Sequence, residues 1–105
     1  MIQHKIYYDK NGKEIDLETW VNLCEDRKYT IIKQEKINDY FISTIWLGLN
    51  HGLIKGQLLI FETMVFKDDE IVEMERCSTL EEAIEGHEMI CKKYSNEPYV
   101  LKDWK

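Results

Sequence analysis

The chain has 105 residues, 44% of them hydrophobic and 32% charged, with a formal net charge of −6. Those values describe one globular domain over residues 1–105 and exclude a disordered segment, which cannot bury enough apolar surface to order itself. The acidic balance and scattered basic residues also argue against a nucleic-acid partner, because phosphate binding needs clustered lysine and arginine.

No apolar run approaches the roughly 20 residues of a membrane-spanning helix, so no membrane partner is expected. The opening "MIQHKIYYDK" carries charged and polar residues where a secretory signal has its apolar core, which points to the cytoplasm. Cys24, Cys77 and Cys91 are odd in number and widely spaced, as suits free thiols in a reducing compartment.

Ile2, Ile6 and Tyr8 around Asn11-Gly12 predict a strand with a short return. Asp16 can cap a helix over about residues 17–26, because its carboxylate can accept from the first free backbone N–H groups. Leu17, Trp20, Val21 and Cys24 recur at helical spacing, so that face is expected to pack inward. "YTIIKQEKI" reads as a half-exposed strand and Asn38-Asp39 as its turn. "YFISTIWLGL" and "LLIFETMVF" are apolar on both parities. That pattern places them mid-sheet, covered on both faces by helices or by another subunit. Lys67-Asp68-Asp69 then turns the chain into "EIVEMER". Connections this short forbid parallel crossovers. The expected fold is α+β: an antiparallel meander of four to five strands with an N-terminal and a C-terminal helix packed on it.

"STLEEAIEGHEMICKKY" predicts that last helix. Ser78 or Thr79 with Glu81 or Glu82 forms a capping box, and acidic residues at the start with Lys92-Lys93 at the end suit the helix dipole. Leu80, Ala83, Ile84, His87, Ile90, Cys91 and Tyr94 share one apolar arc. Pro98 is expected to end the helix, leaving "YVLKDWK" to dock as a strand or arm.

Two polar residues stand in apolar settings: His87 at the centre of that arc, and Glu62 between Phe61 and Met64. A buried carboxylate is costly unless paired, which makes a His–Glu contact attractive. His51, in Asn50-His51-Gly52, could complete a cluster, although that tripeptide is also a competent turn. Equally, a backbone carbonyl could satisfy His87, and Glu62 could face solvent. His51, Glu62 and His87 have ligand types suited to zinc, but no H-x-x-x-H pair supports a site, so no metal or cofactor is expected. Nothing resembles a G-x-S-x-G elbow. Cys77, just before a helix N-terminus, is better placed for a reactive thiolate than Cys91 near a C-terminus. The Gly52–Gly56 loop and the helix start at Ser78-Thr79 offer N–H groups to an anion.

The strings "STIWLGLNHG", "LIFETMVF" and "STLEEAIEGHE" resemble a family of small uncharacterised bacteriophage proteins. Its members share W-L-G-L-D-H-like, F-E-T-M-V-F and A-x-x-G-H segments, matched here by Trp46, Leu47, Gly48, Leu49, His51, Phe61, Glu62, Thr63, Met64 and His87. Asn50 stands where that family has aspartate, which weakens an acid–base or metal role. "GLIKGQ" replaces its Gly- and Pro-rich loop.

The resemblance implies a nonstructural protein working in the host-cell cytoplasm. The expectation is a non-catalytic accessory protein that binds a host protein stoichiometrically and antagonises antiviral defence, with Trp46, Asn50, His51, Glu62 and His87 as binding residues. One alternative is an oligomer that sequesters a small anionic, nucleotide-like signal. Another is a small hydrolase using His51, Glu62 and His87, with or without metal. Strands apolar on both faces also lead us to expect a homo-oligomer.

Overall fold

The structure is a computed structural model that describes residues 6–52 and 56–103. Helices α1 (Leu17–Cys24) and α2 (Arg27–Thr30) precede a sheet of β1 (Ile31–Ile37), β2 (Tyr40–Trp46), β3 (Phe61–Lys67) and β4 (Glu70–Cys77). Helix α3 (Leu80–Asp103) follows. The sheet is an antiparallel meander in the order β1-β2-β3-β4, so the chain has the α+β architecture expected of it.

Local chemistry sets the turns. Asn38 follows β1 at φ 55°, and Asp68 and Asp69 join β3 to β4 at φ 52° and 66°. Asparagine and aspartate tolerate this left-handed backbone and so permit two-residue hairpin loops. Both long helices start on side-chain caps. Asp16 Oδ1 accepts from Thr19 N at 2.8 Å. Thr79 Oγ1 accepts from Glu82 N at 3.0 Å, while Glu82 Oε1 accepts from Ser78 N and Thr79 N, completing a capping box.

Register assigns the two faces. Ile42, Thr44 and Trp46 of β2 and Phe61, Thr63 and Val65 of β3 share the inner face, where α3 packs across all four strands. Two apolar groups flank a polar centre there. Ile42, Val65, Ile90 and Tyr94 lie at the turn end, and Trp46, Ile60, Phe61 and Ala83 at the other. Between them lie Thr44, Thr63 and His87, all buried.

Four expectations need correction. The predicted helix 17–26 is shorter and presents a different stripe. Trp20 and Leu23 meet the core, while Leu17 and Val21 are 54% and 41% exposed and Cys24 is exposed. Trp20 fixes that rotation, because its Nε1 donates to Leu47 O at 3.0 Å and its ring lies 4.8 Å from that of Tyr7. Of the N-terminal strand and return, the described residues make isolated bridges, Tyr7 to Leu49 and Tyr8 to Glu14, while Ile2 lies outside the described residues. Ile84, assigned to the buried arc of α3, is 38% exposed. Finally, α3 does not stop at Pro98, and its backbone stays helical to Asp103 in place of a strand or arm. The carbonyl that Pro98 cannot serve, that of Tyr94, accepts from Asn38 Nδ2 at 3.0 Å.

Of the two kinds of cover expected for the sheet, helices or another subunit, helices supply the inner face alone. Among the described residues no helix packs on the outer face, and Phe41, Ile71 and Met74 are 40%, 56% and 46% exposed.

Candidate functional site

The polar residues predicted to meet do not form one cluster. Glu62 and His87 lie on opposite sides of the sheet. Glu62 stands opposite Ile45 on the outer face, where Arg76 Nε donates to its Oε2 at 3.0 Å. His87 points from α3 into the inner face. His51 lies beyond β2, its backbone N–H donating to Leu59 O at 3.0 Å. Among the described residues no hydrogen bond links its ring to Glu62 or His87.

Trp46 and Asn50 have structural partners. Trp46 is 2% exposed, donates from Nε1 to Tyr8 O at 3.0 Å, and meets the Tyr29 ring edge-on at 4.9 Å. Gly48 at φ 68° lies against that indole, and a Cβ there would collide with it. Asn50 Oδ1 accepts from Gly52 N at 2.8 Å and Leu59 N at 3.1 Å. It thereby ties the two ends of its loop together through an acceptor oxygen that an aspartate would also supply. The proposed anion loop falls partly on residues 53–55, outside the described residues. At Ser78-Thr79 the N–H groups are already taken by Glu82.

The inner face instead carries a continuous polar chain. Thr63 Oγ1 lies 2.6 Å from Thr44 Oγ1, which lies 2.7 Å from His87 Nδ1. On the other side of the ring, His87 Nε2 is 2.8 Å from Glu35 Oε1, and Cys91 Sγ donates to the same oxygen at 3.4 Å. So His87 does have a carboxylate partner, but it is Glu35 from β1. Sequence reasoning missed Glu35 because it sits in a strand of alternating polar residues. The signal that could have found this group is the i, i+4 spacing of His87 and Cys91, which puts both on one side of α3.

Electrostatics follow from these contacts. The His87 hydrogen bond, and then that of the Cys91 thiol, hold the Glu35 carboxyl below its ordinary value. Burial, and then Glu35, push the Cys91 thiol up to about 11. Burial also raises Cys77, so it is no activated thiolate, contrary to its promise beside a helix N-terminus. A hydroxyl, an imidazole and a carboxylate in sequence have the order of a nucleophilic triad. Thr44 and His87 are both 0% exposed, however, so no substrate reaches that hydroxyl. Among the described residues, no buried side-chain nitrogen or oxygen lacks a partner. The Thr63–Thr44–His87 chain is a satisfied inner network that opens to solvent through Glu35, at 41% side-chain exposure, and the half-buried Cys91.

The outer face presents three cross-strand rows: Lys36-Phe41-Phe66-Ile71, Gln34-Ser43-Met64-Met74, and Ile45-Glu62-Arg76. Gln34 lies over Ser43, and Arg76 over Glu62, which shields those two polar groups. Phe41 and Phe66, with ring centres 6.3 Å apart, floor an open depression of about 610 Å³. Its remaining lining is Lys36, Asp39, Asp68 and Asp69, three carboxylates against one ammonium. Among the described residues no helix is long and apolar enough to cross a membrane.

No protein-family model matches this chain, and neither does any curated protein or solved structure.

Proposed function

We propose that this chain is a non-catalytic bacteriophage accessory protein, at work in the host-cell cytoplasm, that binds a host protein stoichiometrically and antagonises antiviral defence. The phage context rests on the sequence resemblance alone. The binding mode rests on one observation: the uncovered outer face of the sheet, with the Phe41–Phe66–Ile71 row at its acidic end. Contiguous exposed apolar surface on a sheet is characteristic of protein recognition.

Charge selects the occupant. Asp39, Asp68 and Asp69 surround the Phe41–Phe66 depression, so the complementary partner is a protein surface placing an arginine or lysine beside apolar side chains. A second copy of the chain would bring another −6 to the same interface, and a small anion would meet the same carboxylates.

The test compares wild type with Phe66→Ser and with Asp39→Asn/Asp68→Asn in affinity capture from host lysate, with native mass spectrometry of the captured complex. The expected result is one host protein at fixed stoichiometry, lost with Phe66→Ser and made weaker and less salt-sensitive by the charge variant. Capture that is indifferent to both variants sinks the assignment of this face. A homodimer dissolved by Phe66→Ser, or a retained small anion, replaces the reading with self-association or sequestration.

A further inference from the structure

On the opposite side of the sheet from that face, and independent of it, we infer that Glu35, His87 and Cys91 form a transition-metal site, best suited to Zn²⁺. The inference stands first on donor type and placement. One carboxylate, one imidazole and one thiol, each offering one ligand atom, lie within 4.8 Å of one another. They come from two elements, with His87 and Cys91 one turn apart on α3 and Glu35 on the adjacent edge strand β1. Nitrogen, oxygen and sulfur donors together are the set that Zn²⁺ accepts.

Distances are the second support. Bonds of about 2.0 Å to nitrogen and oxygen and about 2.3 Å to sulfur put the donors of a tetrahedral zinc roughly 3.3–3.5 Å apart. Here Nε2 and Oε1 are 2.8 Å apart, and Sγ and Oε1 are 3.4 Å apart. The third pair, Nε2 and Sγ, is within 4.8 Å, so binding requires the solvent-facing Glu35 carboxylate to draw back from Nε2 and Cys91 to close on the ion, around the buried His87.

The outer hydrogen bonds fit the same assignment. The threonine pair can be written in two directions. In one, Thr44 donates to Nδ1 and Nε2–H donates to Glu35. In the other, Nδ1–H donates to Thr44, Thr44 donates to Thr63, and the Nε2 lone pair faces the Glu35 carboxylate. In the second arrangement a proton or a metal ion lies between Nε2 and Oε1, and with the metal the histidine has its usual outer donor contact through Nδ1–H. On binding, the Cys91 Sγ–H proton leaves to solvent and the thiolate, the Glu35 carboxylate and Nε2 each donate an electron pair. Nothing is oxidised. Three protein donors leave a fourth position, reached from the exposed side of Glu35, for water or a further ligand.

Cobalt(II) is the direct probe, because a thiolate ligand gives a charge-transfer band in the near ultraviolet and tetrahedral geometry gives strong visible absorption. Reduced, tag-free protein is titrated with Co²⁺ and then with Zn²⁺. The expected result is one equivalent bound, both features present, and displacement of Co²⁺ by Zn²⁺. Cys91→Ser abolishes the charge-transfer band, the Cys24→Ser/Cys77→Ser double variant retains it, and Glu35→Ala weakens binding at least about tenfold. Thr44→Val, which removes the outer partner of His87 together with its bond to Thr63, lowers affinity by about 10–100-fold, and the paired Thr44→Val/Thr63→Val variant lowers it by the same factor. A titration with no band in folded wild-type protein overturns the site. So does a band that survives Cys91→Ser.

Discussion

Asn38 Nδ2 donates to the carbonyl of Tyr94 at 3.0 Å, across 56 residues of sequence. That carbonyl is the one whose helical donor would be residue 98, which is proline and has no N–H. The β1–β2 turn thus supplies the hydrogen bond that the helix cannot make, and α3 continues to Asp103.

Asn38→Gly removes the side chain while keeping a residue at ease at φ 55°. It is expected to cost about 1 kcal/mol in denaturant unfolding. In a Pro98→Ala background, where the helix regains its own donor, the same change should cost less than half as much. Equal costs in the two backgrounds would show that the amide is not replacing the missing donor.

Asn50 gives a second prediction, drawn from its role as an acceptor for Gly52 N and Leu59 N. Aspartate accepts equally well, so Asn50→Asp should unfold within about 0.5 kcal/mol of wild type, whereas Asn50→Ala should lose about 1–2 kcal/mol. Chemical denaturation at neutral pH checks both. A large loss in the aspartate variant would mean that the amide nitrogen, not the oxygen, carries the position.

Glu62 and Arg76 supply the third. The carboxylate side chain is 6% exposed and the guanidinium 32%, so removing the arginine strands a nearly buried charge. Arg76→Met should cost roughly 1.5–3 kcal/mol. The Glu62→Met/Arg76→Met pair should recover most of that, since the two sites neighbour Met64 and Met74 on an apolar face. A double variant as unstable as the single one would place the cost in lost packing of the arginine stem.

Much of this fold was legible in local residues. Asn38-Asp39 and Asp68-Asp69 announced the hairpin turns because few other side chains tolerate positive φ, and Asp16 and Thr79 with Glu82 announced the helix starts. What stayed hidden was non-local. Glu35 looked like a solvated residue of an edge strand, and only the seating of α3 brings it to His87, 52 residues away. The His–carboxylate pairing was a sound inference from burial costs, but Glu62 lay on the wrong parity of β3 to make it. Pro98 read as a stop because its compensation comes from a turn distant in sequence. Trp46, conspicuous as a binding aromatic, proves to be fully engaged with Tyr8 and Tyr29.

Acid sensitivity gives the last prediction, through Glu73 on β4. Tyr94 Oη donates to its Oε1 at 2.6 Å and Lys93 Nζ at 2.9 Å, and these hydrogen bonds, the tyrosine's first, hold the carboxyl below its ordinary value. A carboxyl lowered in the folded state contributes stability above the ordinary carboxylate range and loses it as pH falls through the folded value. Glu75 has the opposite sign, raised by burial and then by Glu73, so its ionised form costs stability at neutral pH and acid relieves that cost. Tyr94→Phe keeps the ring against Tyr40 and removes only the donor. It should therefore lower stability near neutral pH by about 1.5–3 kcal/mol, with the gap to wild type closing as pH drops below the ordinary glutamate value of about 4.3. Urea unfolding of both proteins across that range reads the difference directly. A gap that stays constant down to about pH 3 would mean that the hydroxyl acts through packing, not through the Glu73 carboxylate.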